Sequence, residues 1–427
     1  MMNKKLRYLV SVMVIGTLMT GVLTGCSSTS STSNSTESTT SKSESGSSSS
    51  SNTAKASSTS KVDTSELFTD RDLEQNADTS GAKKYTVADN EDITITEEGV
   101  YVISGSAKDC SIIVDAEDQK VQIVLNGVTI TNSDKAAIYV KQADKVFVTT
   151  YSGSENTLTT TGTFTADSEN NVDAVIYSKD DVVLNGTGSL TIKSSANGIS
   201  SKDGIKITGG NYNITSTKDA LEANDYIAVC DGDITINSSK DALHTENSDD
   251  DSLGFVYISG GTLNIKASSD GLQGNAYVQI DGGNITINSS EGIEGTFVQI
   301  NDGTISIDAS DDGINATSKS SSYSVGIEIN GGDLTINMGQ GDTDALDANG
   351  SLIVNGGNIN ITAQFAFDFD TESQFNGGTI TVNGEEVTEI TESMQMGGGG
   401  RGGMGGMQGD MPQDNGNFQR GNRGGFR

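Results

Sequence analysis

Six short segments of the chain place an acid at one point of the same five-residue pattern. They are Lys218-Asp219-Ala220-Leu221-Glu222, Lys240-Asp241-Ala242-Leu243-His244, Ser269-Asp270-Gly271-Leu272-Gln273, Ser290-Glu291-Gly292-Ile293-Glu294, Asp311-Asp312-Gly313-Ile314-Asn315 and Thr343-Asp344-Ala345-Leu346-Asp347. Residues 366–370 (AFDFD) read as a degenerate last copy. A carboxylate can serve as acid, base or nucleophile, or as a ligand for a hard cation. If the copies stack as paired strands, their acids form a file with steps of about 4.7–4.9 Å. Unit charges that close repel by about 0.8 kcal/mol in water, and by roughly 3 kcal/mol at an effective dielectric near 20. Such a file needs a counter-charge, and calcium is the expected one. Its Ca–O bonds of about 2.3–2.6 Å let one ion bridge two neighbouring steps.

The expected calcium ligands are Asp219, Asp241, Asp270, Glu291, Asp312 and Asp344, with Glu222, Glu294 and Asp347 beside them. The acidic run Glu246-Asn247-Ser248-Asp249-Asp250-Asp251 adds Asp249 and Asp250, although it reads equally well as a solvated loop. Taken singly, Asp-Gly and Asp-Ala are also ordinary turn chemistry, in which the carboxylate caps a nearby amide.

Other chemistry is less well supplied. The serines before the acids (Ser238, Ser239, Ser268, Ser269, Ser289, Ser290) suit an internal hydrogen-bonded ladder better than nucleophilic attack. His244 is the sole histidine, so no triad is available, and a structural or ligand-contacting role is expected. A lyase needs a base beside a metal. Arg71 is the only arginine between Cys26 and Gly400, which leaves Lys202, Lys218 and Lys240 as alternatives. A hydrolase could use two carboxylates about 5–10 Å apart, and no particular pair stands out.

What must position these groups is a repeat. The turn glycines Gly210, Gly232, Gly261, Gly283, Gly303, Gly332, Gly357 and Gly378 follow one another at 20 to 29 residues. Each interval holds three short runs of alternating Ile, Val or Leu, as in Ile285-x-Ile287, Ile293 and Val298-x-Ile300. Alternation sends these side chains to one face. Three strands that short cannot pair within one turn, so they pair with their equivalents above and below. The expected fold is all-β: a single-stranded, right-handed parallel β-helix with three sheets and about 20–29 residues per rung. The two long intervals contain insertions, 247–252 and 318–324, expected to bulge from one corner while the strands keep register.

The chain has 427 residues, a net charge of −32, 52 glycines, one proline and no tryptophan. That balance excludes nucleic acid and anionic lipid as direct partners and favours cations. Lys4, Lys5 and Arg7 precede an apolar run and Leu23-Thr24-Gly25-Cys26, the pattern of a lipoprotein signal over residues 1–25, with Cys26 lipidated. Residues 26–61, rich in Ser and Thr, form a flexible tether of roughly 30–35 Å reach. A lead-in segment (62–83), helical over part of 65–76, introduces the body at 84–392. The Gly/Met/Arg-rich residues 393–427 are expected to be disordered. The protein is thus expected on the outer face of the cell membrane, as a monomer. Cys110 and Cys230 are expected to be unpaired buried thiols.

Val100-Tyr101-Val102-Ile103-Ser104-Gly105, the run 121–132 (VQIVLNGVTITN), Gly153-Ser154-Glu155-Asn156 with Thr157-Leu158, Asp180-Asp181-Val182, Gly186-Thr187-Gly188-Ser189-Leu190 and the acid corners resemble the clostridial carbohydrate-binding β-helix family. The resemblance spans most of residues 85–390. It implies a pectate-lyase-like fold, calcium binding, and affinity for polysaccharide, either cellulose or acidic sugars such as polygalacturonate. The expected function is non-catalytic binding of such a polysaccharide, with a shared divalent ion between two acidic polymers. A calcium-dependent lyase with a lysine base and a calcium-stiffened spacer or adhesin are the alternatives. The lack of tryptophan weakens a flat aromatic platform, which the 11 tyrosines would replace only in part.

Overall fold

Short strands with one apolar side alternate with tight corners in this chain, and nearly every one finds its partner one turn later. The computed structural model describes residue 64 and residues 67–166, 171–340 and 343–392. The signal segment, Cys26, the tether and the tail therefore lie outside the described residues. Among those described there are 32 strands and no helix.

The strands fall into three parallel ladders. The first runs through Lys145–Thr150, Asp181–Gly186 and the starts of Gly204–Ser216 and Tyr226–Ser238, then Phe255–Ile258. The second passes through Glu155–Thr160, Ser189–Ser194, Thr262–Lys266, Asn284–Ser289 and Thr304–Ala309. The third contains the acid corners: Asn197–Ser201, Leu221–Ala223, Leu243–Thr245, and the first halves of Asp270–Ile280 and Glu291–Ile300. One strand pair is antiparallel. Glu385–Val387 turns back on Thr379–Val382 and covers the last edge of the second ladder.

Register is strict. In the third ladder, Ile199, Leu221, Leu243, Leu272, Ile293, Ile314, Leu346 and Phe367 stand opposite one another in succession. All are buried in one continuous core. Each fully buried Ile or Leu contributes about 1.5–3 kcal/mol of transfer free energy. A slip by one residue would turn the whole file outward. Both insertions leave this register intact: Leu243 pairs with Leu272 across the first, and Phe297 with Gly326 across the second.

All eight turn glycines have positive φ, from 84° at Gly332 to 122° at Gly232. That conformation strains any residue with a Cβ. The small residue after each acid has another cause. A Cβ on Gly292 would lie 2.3 Å from the Gly313 carbonyl oxygen and 2.5 Å from Ile307. Only Gly, or Ala in a slightly roomier rung, fits beneath the next coil.

Three expectations need adjustment. The lead-in segment is not helical: Asp72 N–H and Leu73 N–H both donate to the Thr69 carbonyl in an isolated turn. Cys110 is a buried thiol, but Cys230 is half-buried. In the last copy Phe365, not an acid, stands opposite Asp344, while Asp368 continues from Asp347.

Candidate functional site

Two parallel files run along the third-ladder side. Asp219, Asp241, Asp270, Glu291, Asp312 and Asp344 occupy the corner. Three residues later, in continuous register, come Glu222, His244, Gln273, Glu294, Asn315, Asp347 and Asp368. The sequence pattern marks the acids of the second file. Gln273, Asn315 and Asp368 were not expected as members, although the aligned copies place them three residues past the corner.

Turn chemistry accounts for one oxygen of three corner aspartates. Asp219 Oδ1 accepts from the Asp241 N–H at 3.0 Å, Asp241 Oδ1 from Asp270 N–H at 3.1 Å, and Asp312 Oδ1 from Asp344 N–H at 3.1 Å. The preceding rung uses Asn197 Oδ1 for the Asp219 N–H. The serines behave likewise, with Ser216, Ser238 and Ser289 each donating to the carbonyl two residues on. They close local turns within their own coil instead of forming the expected ladder between coils. The other aspartate oxygens point into the space between the two files, and there the molecule divides into regions of different charge.

In the first region, Asp219 and Asp241 are compensated from within. Lys240 Nζ lies 3.0 Å from Asp219 Oδ2 and 3.3 Å from Asp241 Oδ2. His244 Nδ1 approaches the same oxygens at 3.6 and 3.5 Å, beyond hydrogen-bond length. Burial works against the charged form of Asp219, yet His244 and Lys240 overcome it and hold the carboxyl below its ordinary range. Burial likewise opposes the His244 cation, and Asp219 and Asp241 reverse it, raising the imidazole. The pull of Asp219 also raises the Lys240 ammonium against desolvation. A lysine so held is no base for proton abstraction. One coil earlier, Glu222 accepts from Asn197 Nδ2 at 2.6 Å and Ser200 Oγ at 3.2 Å.

The second region is under-compensated. One oxygen each of Asp270, Glu291 and Glu294 lie within 4.8 Å of one another, and Asp270 and Glu294 are buried. Lys319, from the 318–324 insertion, reaches Glu294 Oε2 at 2.7 Å, and Gln273 Nε2 donates to the same oxygen. Burial, then Asp241, Glu294 and Glu291, push Asp270 up to about 8. Burial and Glu294 push Glu291 up to about 7. Further along, burial followed by Asp312 and Asp368 raises Asp347 to about 7. Asp312 moves in the same direction, chiefly by burial.

Asn315 stands between Glu294 and Asp347. Its Nδ2 donates to Glu291 Oε2 at 3.2 Å, while its buried Oδ1 has no hydrogen-bond partner. The local acceptor set is thus all oxygen: three carboxylates with an oxygen each within 4.8 Å of one another, and the unsatisfied amide oxygen of Asn315 in the next coil. That set fits a hard cation such as calcium, which takes six to eight oxygen ligands.

Asp249 and Asp250 are held within their own loop. Asn247 Oδ1 caps both of their N–H groups, and Asp250 Oδ1 accepts from Ser252 Oγ at 2.7 Å. Their neighbour Asp251 turns to the other insertion, taking Ser321 Oγ at 2.6 Å. The stacked rings of Tyr226, Phe255 and Tyr277, with centroids 5.5 and 4.7 Å apart, are closed by Tyr323 at 5.2 Å. Tyr277 is 2% exposed, so this column is packing and not a flat platform.

Residues 89–345, and again 296–407, match the family model described as carbohydrate-binding domain-containing protein. A protein of that same description from Acetivibrio thermocellus is 43% identical over 201 residues, covering 46% of this chain and 70% of the relative. Among solved structures, a polysaccharide lyase-like protein from C. thermocellum, a gadolinium derivative, aligns with a TM-score of 0.48 and 29% identity, over 52% of this chain and 96% of that one.

Proposed function

The chain belongs to the family of carbohydrate-binding domain-containing proteins, and from that premise we propose that it binds an acidic, polygalacturonate-like polysaccharide through calcium held on its carboxylate files. The observation that carries this reading is the buried trio Asp270, Glu291 and Glu294, together with the partnerless Oδ1 of Asn315. Three carboxylates and one lysine leave negative charge that only protonation or a cation can relieve. A divalent ion there would retain open coordination for carboxylates of the glycan, and so join two polymers that otherwise repel. Asp312, Asp347 and Asp368 would hold a second ion of the same kind.

Cellulose is the weaker alternative, because a flat crystalline glycan is gripped by exposed coplanar rings. Among the described residues, only Tyr85 and Tyr151 are large aromatics exposed above a third, and they belong to different strands and turns. The coil is read as a right-handed parallel β-helix, the hand favoured for parallel crossover connections. Cys26 is read as a lipid attachment point that displays the coil outside the membrane. A Cys26→Ala change is expected to move the protein from the membrane fraction to the medium.

The deciding experiment is co-sedimentation with insoluble polygalacturonate in 1 mM calcium and in EGTA, with cellulose in parallel. Retention on polygalacturonate is expected to be much stronger in calcium than in EGTA. Equal retention in chelator, or none under either condition, would overturn the calcium-bridged mode.

A further inference from the structure

The first described residues lie across the outer face of the first ladder, and their hydrogen bonds run almost all one way. The ladder donates. Lys145 Nζ reaches Asp72 Oδ1 at 3.0 Å, and Lys206 Nζ reaches Asp72 Oδ2 at 3.1 Å and the Leu67 carbonyl. Thr208 Oγ1 donates to the Asp72 carbonyl, Asn185 Nδ2 to the Glu74 carbonyl at 3.0 Å, and the Gly186 N–H to Gln75 Oε1 at 2.9 Å. In the other direction, Gln75 Nε2 donates to the Thr208 carbonyl at 2.8 Å. Asp72 is fully buried and Lys206 is 5% exposed. Phe147 lies beside them, with the Arg71 guanidinium 4.6 Å above its ring.

Stability alone does not explain this composition. A buried ion triad is on average no better than apolar residues of the same volume, and often worse. A face that needed only to be covered would be apolar. Instead, a chain of net charge −32 gathers two lysines and three neutral donors at one place and fills them with a carboxylate and four carbonyl oxygens. The same pattern of acceptors, a carboxylate flanked by hydroxyl and ring oxygens, is what a uronate sugar offers. Asp181, the acid on this face, is already engaged by Tyr226 Oη at 3.0 Å and the Gly204 N–H at 3.1 Å.

We propose that the outer face formed by Lys145, Phe147, Asn185, Lys206 and Thr208 is a second, cation-independent site for an acidic glycan, and that residues 67–76 keep it closed, with Asp72 seated where a uronate carboxylate would sit. This rests on the acidic-polysaccharide reading above, but it needs no metal. The segment therefore acts as a built-in competitor.

The test is hydrogen–deuterium exchange of the full chain in EGTA, with oligogalacturonate or cello-oligosaccharide as probe. Oligogalacturonate should speed exchange over residues 67–76 at least threefold, and the neutral sugar should not. Unchanged exchange up to millimolar oligogalacturonate would overturn the proposal. In parallel, Asp72→Ala should bind oligogalacturonate in EGTA at least tenfold more tightly than the unsubstituted chain. Adding Lys145→Met and Lys206→Met should abolish that gain. A folded Asp72→Ala protein with no gain would make the segment a permanent cover. Should that variant not fold, exchange on the unsubstituted chain still decides. Binding in calcium but none in EGTA would sink this site alone, whereas binding in EGTA alone would sink the calcium bridge.

Discussion

Two stretches of one file, built by the same repeat, solve the same electrostatic problem differently. Around Asp219 and Asp241 the chain supplies its own cation, Lys240, and sets His244 a few ångströms from both carboxylates. Around Asp270, Glu291 and Glu294 the lysine position before the acid is held by Ser269 and Ser290, and Lys319 alone arrives from an insertion. In the first stretch Lys240 offsets both carboxylates, although Asp219, Asp241 and His244 also bring one ligand atom each within 4.8 Å of one another. The second keeps a deficit of positive charge. Substitution at one position of the pattern, Lys240 against Ser269 or Ser290, thus separates an internally compensated ion network from an under-compensated one.

The sharpest way to break this contrast is to remove ligands on each side. Asp270→Asn with Glu291→Gln should weaken calcium binding by about 100-fold or more in a calorimetric titration, since affinity follows the count of charged ligands. Asp219→Asn with Asp241→Asn should leave it within about threefold. If both pairs lost calcium equally, the distinction would fail.

A smaller effect concerns pH. The Asp270 and Glu291 carboxyls stand at about 8 and about 7 when folded, against about 4 when unfolded. A raised acid stabilises the folded state below its unfolded value, and that contribution disappears as pH climbs through the folded one. In chelator, Tm should therefore fall by roughly 5 °C between pH 5 and pH 8.5. Calcium should flatten the fall and release protons on binding, which a pH-stat would register.

The mildest test converts one stretch into the other. Lys240→Met leaves Asp219 and Asp241 without their ammonium. Because its head is half exposed, the loss should be only about 1–2 kcal/mol in urea unfolding. The same variant should take up one more calcium ion per chain than the unsubstituted protein. An unchanged stoichiometry would show that absent lysine is not what opens the second stretch.

Much of this was legible in the sequence. Glycine spacing and alternating Ile gave the strand ladders, because a positive φ and a buried face are local demands that stacking repeats. The residues of the corner file were legible for the same reason. Their division was not. Lys240 binds the acid of the preceding coil as well as its own neighbour, and Lys319 reaches Glu294 from a loop whose path no periodicity sets. Asp249 and Asp250 looked the densest acids in the chain, yet Asn247 and Ser252 fold that loop upon itself. The lead-in segment suggested a helix, but its polar groups are spent on the ladder face, and tertiary hydrogen bonds outweighed local propensity. Asn315 carries no charge to catch the eye. Only its place between Glu294 and Asp347 reveals an amide oxygen left without a donor.

The returning strand Glu385–Val387 has a further consequence. A stack of coils exposes, at its terminus, amides and carbonyls poised to recruit any passing extended segment. Along the second-ladder part of that margin the protein lays its own strand antiparallel and spends those groups on itself. That ladder is thereby closed to addition of another chain, which on a crowded surface removes one of the routes by which such molecules could join end to end.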